Sequence, residues 1–84
     1  MITFYEYLSQ QVESGVTDDP TGDFALDAEE DSFFPRSAQA DAEGFTKIIN
    51  YLYFSVRTWD RVYDAFMESW RSYYKEVTGK EWYK

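Results

Sequence analysis

Sixteen carboxylates, no histidine and no cysteine bound the chemistry open to this 84-residue chain. Without histidine it lacks the commonest metal ligand and the usual general base near neutral pH, which removes serine-triad and ordinary zinc-hydrolase chemistry. Without cysteine there is no disulfide, thiolate nucleophile or thiolate metal site. Carboxylate pairs remain. Among sixteen acids, however, some pair falls at a glycosidase-like separation by chance, so pairs alone carry no signal. Asp27-x-Glu29-x-Asp31 has the spacing of the first ligands of a calcium loop, but the sixth position is Ser32 instead of Gly and the twelfth is Ala38 instead of Glu. The chain therefore reads as a non-enzyme, with no catalytic residue, metal site or cofactor.

The charge is segregated. Residues 1–43 hold eleven acids and one base, Arg36, whereas residues 44–84 hold five acids and seven bases, so the first half makes the whole net charge of −8. On a helix over residues 20–31, Asp23, Asp27, Glu30 and Asp31 fall within about 100° of one another, by the 3.6-residue repeat. Asp18, Asp19 and Asp23 suit the positive end of that helix, but Asp27, Glu29, Glu30 and Asp31 sit where the dipole opposes them. Each like-charged pair four residues apart adds roughly 0.2–0.5 kcal/mol of repulsion. Local stability does not explain their placement. Pairing with Arg36, Lys47, Arg57 or Arg61, or simple solvation of an aromatic-rich chain, would make the run bland.

The elements that carry these acids follow from capping and periodicity. Thr3 and Glu6 have capping-box spacing, Ile2 and Tyr7 fall where a hydrophobic staple would close, and Gly15 should stop the first helix. Asp19 suits the N-cap of a second helix with Pro20 in its first turn, ending near Asp31. Phe33-Phe34-Pro35 is expected as an extended turn that presses two rings into the core. A third helix starts between Ser37 and Asp41 and carries Phe45, Ile48, Ile49 and Leu52 on one face. After a break around Ser55, a last helix runs from about Thr58 to Thr78 and stops at Gly79. Its apolar stripe is Trp59, Val62, Tyr63, Phe66, Met67, Trp70, Tyr73, Tyr74 and Val77. A chain this short buries only ~60–65% of its unfolded surface, so eighteen aromatic rings must make an efficient core. The expectation is one all-α domain over residues 1–84 with a short tail at 80–84. With no leader-like or membrane-spanning apolar run, a cytoplasmic location and no membrane partner are expected.

These landmarks resemble the YozE-like family of small bacterial proteins. The matching residues are Phe4-Tyr5 with Leu8, Gly22-Asp23, Ala25, Asp27 and Asp31, Phe34-Pro35, Tyr51-Leu52, and Phe66, Trp70 and Tyr73. Gly-Asp-x-Ala-x-x-Asp followed by Phe-Pro is the more specific part. The resemblance implies a compact bundle of four or five short helices, similar to a sterile alpha motif domain, and implies no particular chemistry. The chain departs from the family pattern in a longer stretch from Ser37 to Thr46, a lengthened last helix and the tail Lys80-Glu81-Trp82-Tyr83-Lys84, departures that fit a relative with a changed partner.

The leading functional expectation is a small acidic binding protein that inhibits a nucleic-acid-handling protein by charge mimicry, as counter-defence proteins of phages and mobile elements do. Its partner-binding residues are Asp23, Asp27, Glu29, Glu30, Asp31, Asp41 and Glu43. Asp60, Asp64 and Glu68 would extend the ridge, and Tyr7, Tyr53 and Tyr83 are candidate aromatic anchors. The partner is expected to be a protein with a basic nucleic-acid-binding surface. The alternative is a sterile alpha motif-like interaction or self-association module, the acidic front half meeting Arg57, Arg61, Arg71 and Lys75 of a second copy. Direct nucleic-acid binding is disfavoured: Arg71-Ser72-Tyr73-Tyr74-Lys75 joins bases to aromatics, but a sequence pI near 4.3 repels phosphates.

Overall fold

A computed structural model describes residues 2–15, 20–55 and 59–82, and the side chains of all of these except 20, 21 and 59–61. Four helices follow one another: α1 (Phe4–Glu13), α2 (Pro20–Glu30), α3 (Ala42–Ser55) and α4 (Trp59–Thr78). No strand occurs among the described residues. The all-α bundle expected from the sequence is what forms.

The termini of the helices obey their local signals. Thr3 caps α1: its backbone N–H donates to Glu6 Oε1 at 2.9 Å, and its hydroxyl accepts from the Glu6 N–H at 3.2 Å. These bonds, the backbone one first, hold the Glu6 carboxyl below its usual range. The chain leaves α1 through Gly15 at φ 80° and α4 through Gly79 at φ 74°, a left-handed conformation in which a side chain would be strained. Pro20 opens α2 as expected; the proposed cap Asp19 and the proposed start of α4 at Thr58 lie outside the described residues. The third helix begins one residue beyond the expected window. Asp41 caps it, its Oδ1 accepting the Gly44 N–H at 2.7 Å.

The core is a ring cluster centred on Phe4, which is wholly buried. Five rings lie around it at centroid distances of 5.2–6.4 Å: Phe24, Phe34, Phe66, Trp70 and Tyr73. Two bonds fasten the same region, the Phe4 N–H donating to the Ala38 carbonyl at 2.9 Å and the Tyr73 hydroxyl to the Ile2 carbonyl at 2.8 Å. Packing runs between α1 and α2, α2 and α4, α1 and α4, and α3 and α4. Among the described residues, the α2 and α3 backbones nowhere approach closely.

Two details differ from the sequence expectation. Of the adjacent rings Phe33 and Phe34, only Phe34 enters the core; Phe33 is 82% exposed. Asp31 explains the split. Its Oδ1 accepts the Phe33 N–H at 2.9 Å and its carbonyl accepts the Phe34 N–H at 3.2 Å, a tight turn that faces successive side chains apart. Tyr63 lies at the edge of the α4 stripe, 38% exposed, instead of within the core.

The tail folds back. Trp82 sits 4.9 Å from Phe45, 5.5 Å from Trp70 and 4.9 Å from Tyr74 by ring centroid, and Lys75 Nζ meets Glu81 Oε1 at 2.6 Å. The indole N–H groups of Trp70 and Trp82 are buried with no hydrogen-bond partner among the described residues.

Candidate functional site

The acids singled out from the sequence divide into those that serve the fold and those that do not. Phe24, Ala25 and Ala28 bury the inner face of α2, which leaves Asp23, Asp27 and Glu30 on its exposed face. Spacings of four and three residues place them one above another along the helix. Among the described residues the one ion pair is Lys75–Glu81, so none of these three carboxylates is neutralised by a described cation. Arg36, one of the cations expected to compensate them, instead lies over the Tyr5 ring, 4.7 Å from its centroid. The Arg57 and Arg61 side chains lie outside the described residues.

Asp31 and Asp41 are engaged within the fold. Besides the Phe33 N–H, Asp31 accepts the Tyr51 hydroxyl through Oδ2, which joins the end of α2 to the middle of α3. Burial, followed by this bond and the charge of Asp31, pushes the Tyr51 hydroxyl above its ordinary pKa. Asp41 is the cap of α3 described above. Glu29 is half-buried, and its backbone carbonyl accepts the Tyr5 hydroxyl at 3.3 Å. Glu43 is exposed.

Two hollows separate these groups. Asp41, Glu43 and Lys47 line a polar one of about 130 Å³ with Ser37, Gln39 and Gly44. Asp27 and Asp31 line another, of about 150 Å³, whose remaining walls are Phe24, Ala28, Phe34, Leu52 and Val62. The second hollow occupies the gap that α2 and α3 leave between them. Among the described residues no group of three or more carboxylates gathers closely enough to hold a metal ion.

Among the exposed rings, Tyr53 was expected as an anchor, whereas Phe33 was expected in the core and Phe54 was not singled out. Phe33 and Phe54 are each 82% exposed and Tyr53 is 61% exposed, with Tyr53 and Phe54 in edge contact at 5.2 Å. A signal was present: with Phe45, Ile48, Ile49 and Leu52 facing inward, the next two positions of α3 turn about 100° and 200° away from that stripe. Of the other tyrosines proposed as anchors, Tyr7 is buried and Tyr83 lies outside the described residues. Asp64 and Glu68 are exposed on α4, and the side chain of Asp60 is not described.

Among the described residues no helix is long and apolar enough to cross a membrane. Residues 3–75 match the family model described as the YozE SAM-like fold. The span contains every residue on which the resemblance rested, and it stops before the last turn of α4 and the tail that carries Trp82. No curated protein and no solved structure matches the chain.

Proposed function

The chain belongs to the YozE SAM-like family, and on that footing we propose that it is a non-catalytic binding protein which docks on a cationic, nucleic-acid-handling surface of another protein and keeps the nucleic acid away from it. The row Asp23, Asp27 and Glu30 carries this reading. These carboxylates are exposed and stand on a helix fixed to the core by Phe24, Ala25 and Ala28. Their helical rises of about 6 and 4.5 Å are comparable with one to two phosphate steps of about 3.4 Å along a nucleic-acid strand. Unneutralised charge on a rigid support steers association with a basic groove most strongly at low salt.

Affinity capture from a host lysate at low salt tests this, with the wild-type chain and the Asp23→Asn/Asp27→Asn/Glu30→Gln variant as baits. The expected result is a nucleic-acid-binding protein retained by the wild type, lost from the variant, and eluted from the wild type by added duplex DNA. Retention by the variant sinks the reading. Folding should change little, because the repulsion relieved along α2 is offset by the loss of the favourable interaction of Asp23 with the helix N-terminus.

A second reading, association of copies through the acidic face of α2 and the α4 cations, has the exposure of Arg71 and Lys75 in its favour, although Glu81 already engages Lys75. Light scattering at low and high salt separates the two readings: a monomer at both removes self-association.

A further inference from the structure

We propose that the gap between α2 and α3 is a socket for an arginine side chain on the partner's docking segment; this rests on the binding reading above and names the contact it uses. The socket has two unlike parts. Its walls, Phe24, Ala28, Phe34, Leu52 and Val62, are apolar, and its volume of about 150 Å³ is that of a cavity able to hold a benzene-sized group. Its remaining lining residues, Asp27 and Asp31, are carboxylates one helical turn apart. An apolar ligand would leave these two charges facing its surface uncompensated, and a small cation would leave the apolar walls unfilled. A side chain with an aliphatic stem and a cationic head satisfies both parts.

Arginine fits better than lysine. Its planar fork reaches two carboxylates at once and is more weakly hydrated than an ammonium, so less is lost on entering a half-apolar site. Asp31 is already oriented for such a contact. The Phe33 N–H and Tyr51 hydroxyl hold one bond to each of its oxygens, and each oxygen keeps a lone pair for a further donor. Asp27, exposed and without a described ion-pair partner, is the charge that the arginine would neutralise.

The test is a chemical-shift titration of the full chain with acetyl-Leu-Arg-Leu-amide and with the same peptide carrying neutral citrulline in place of arginine. Saturable shifts are expected at the amides of Asp27, Asp31, Leu52 and Val62. The citrulline peptide should bind about tenfold more weakly, and Asp27→Asn should weaken the arginine peptide by a similar factor, the usual scale of a charged hydrogen bond. The Asp23→Asn/Glu30→Gln variant, altered outside the socket, should change affinity by less than about threefold.

Equal binding of the two peptides, shifts centred elsewhere, or indifference to Asp27→Asn would overturn the socket. Used as baits, the same variants separate this failure from that of the wider reading. A partner lost by Asp23→Asn/Glu30→Gln but kept by Asp27→Asn removes the socket alone; a partner kept by both removes both. Concentration-dependent dimerisation abolished by Asp27→Asn would show that the occupant is a second copy and overturn the assignment to a partner protein.

Discussion

Phe33 and Phe34 are neighbours in the chain and belong to two different regions. Phe34 joins the cluster around Phe4, where rings from α2, α4 and the loop after α2 close on a phenylalanine with no exposed surface. Phe33 points out into solvent, and so, in the last turn of α3, do Tyr53 in large part and Phe54. The first region is what a short chain needs in order to fold, since it must take most of its stability from a few large side chains. The second contributes nothing comparable to folding. On the binding reading proposed above, such exposed aromatic surface is what a partner would cover.

The sharpest way to break this contrast is to truncate each region in turn. Phe4→Ala removes the ring that five others contact and should cost about 3–5 kcal/mol, read by urea denaturation followed by circular dichroism. A cost below about 1 kcal/mol, the level of an average substitution, would mean that the cluster is not what holds the bundle.

A smaller effect should come from pH. The buried Tyr73 hydroxyl is pushed up from 10.0 to about 12, first by desolvation and then by the charges of Asp41 and Glu6. Tyr7 and Tyr51 move in the same direction. A phenol whose folded pKa exceeds its unfolded value keeps its proton longer in the native state. Its contribution is therefore complete below about pH 10 and is lost as pH rises towards 12. Unfolding curves between these limits should show the decline, and Tyr73→Phe should flatten it. An unchanged slope in that variant would remove Tyr73 from the account.

The smallest change in stability is expected at the exposed rings, where Phe33→Ser and Phe54→Ser should each shift the unfolding free energy by no more than about 0.5 kcal/mol. The same pair of substitutions should abolish partner capture. A large loss of stability with capture intact would invert the comparison.

The bundle was legible where residues act on their chain neighbours. Thr3 with Glu6, Pro20, Gly15 and Gly79 mark their boundaries through local bonds and dihedrals, and the five-turn stripe of α4 states its own buried face. Phe33-Phe34 was not legible, because a loop has no periodicity to tell which of two adjacent rings turns inward. The acids were legible only in part. That Asp23, Asp27 and Glu30 share a face follows from spacing. That Asp31 is held by Tyr51 does not, since twenty residues separate them and the bond exists only once α3 lies against α4. The hollow beside Asp27 was likewise hidden. It arises from two helices failing to meet, and a sequence records apolar faces more plainly than the spaces between them.

Gly44 has a consequence of a different kind. A β carbon there would fall 2.1 Å from the Gln39 carbonyl oxygen, so the segment before α3 lies directly on the helix that follows it. One residue earlier, the Ala38 carbonyl receives the Phe4 N–H. The backbones of α1 and α3 do not meet among the described residues, yet this doubled-back segment bears on both, like a wedge driven between two beams. Leverage applied to α3 from outside would reach the first turn of α1 through three residues of main chain, with no need for a path through the rings.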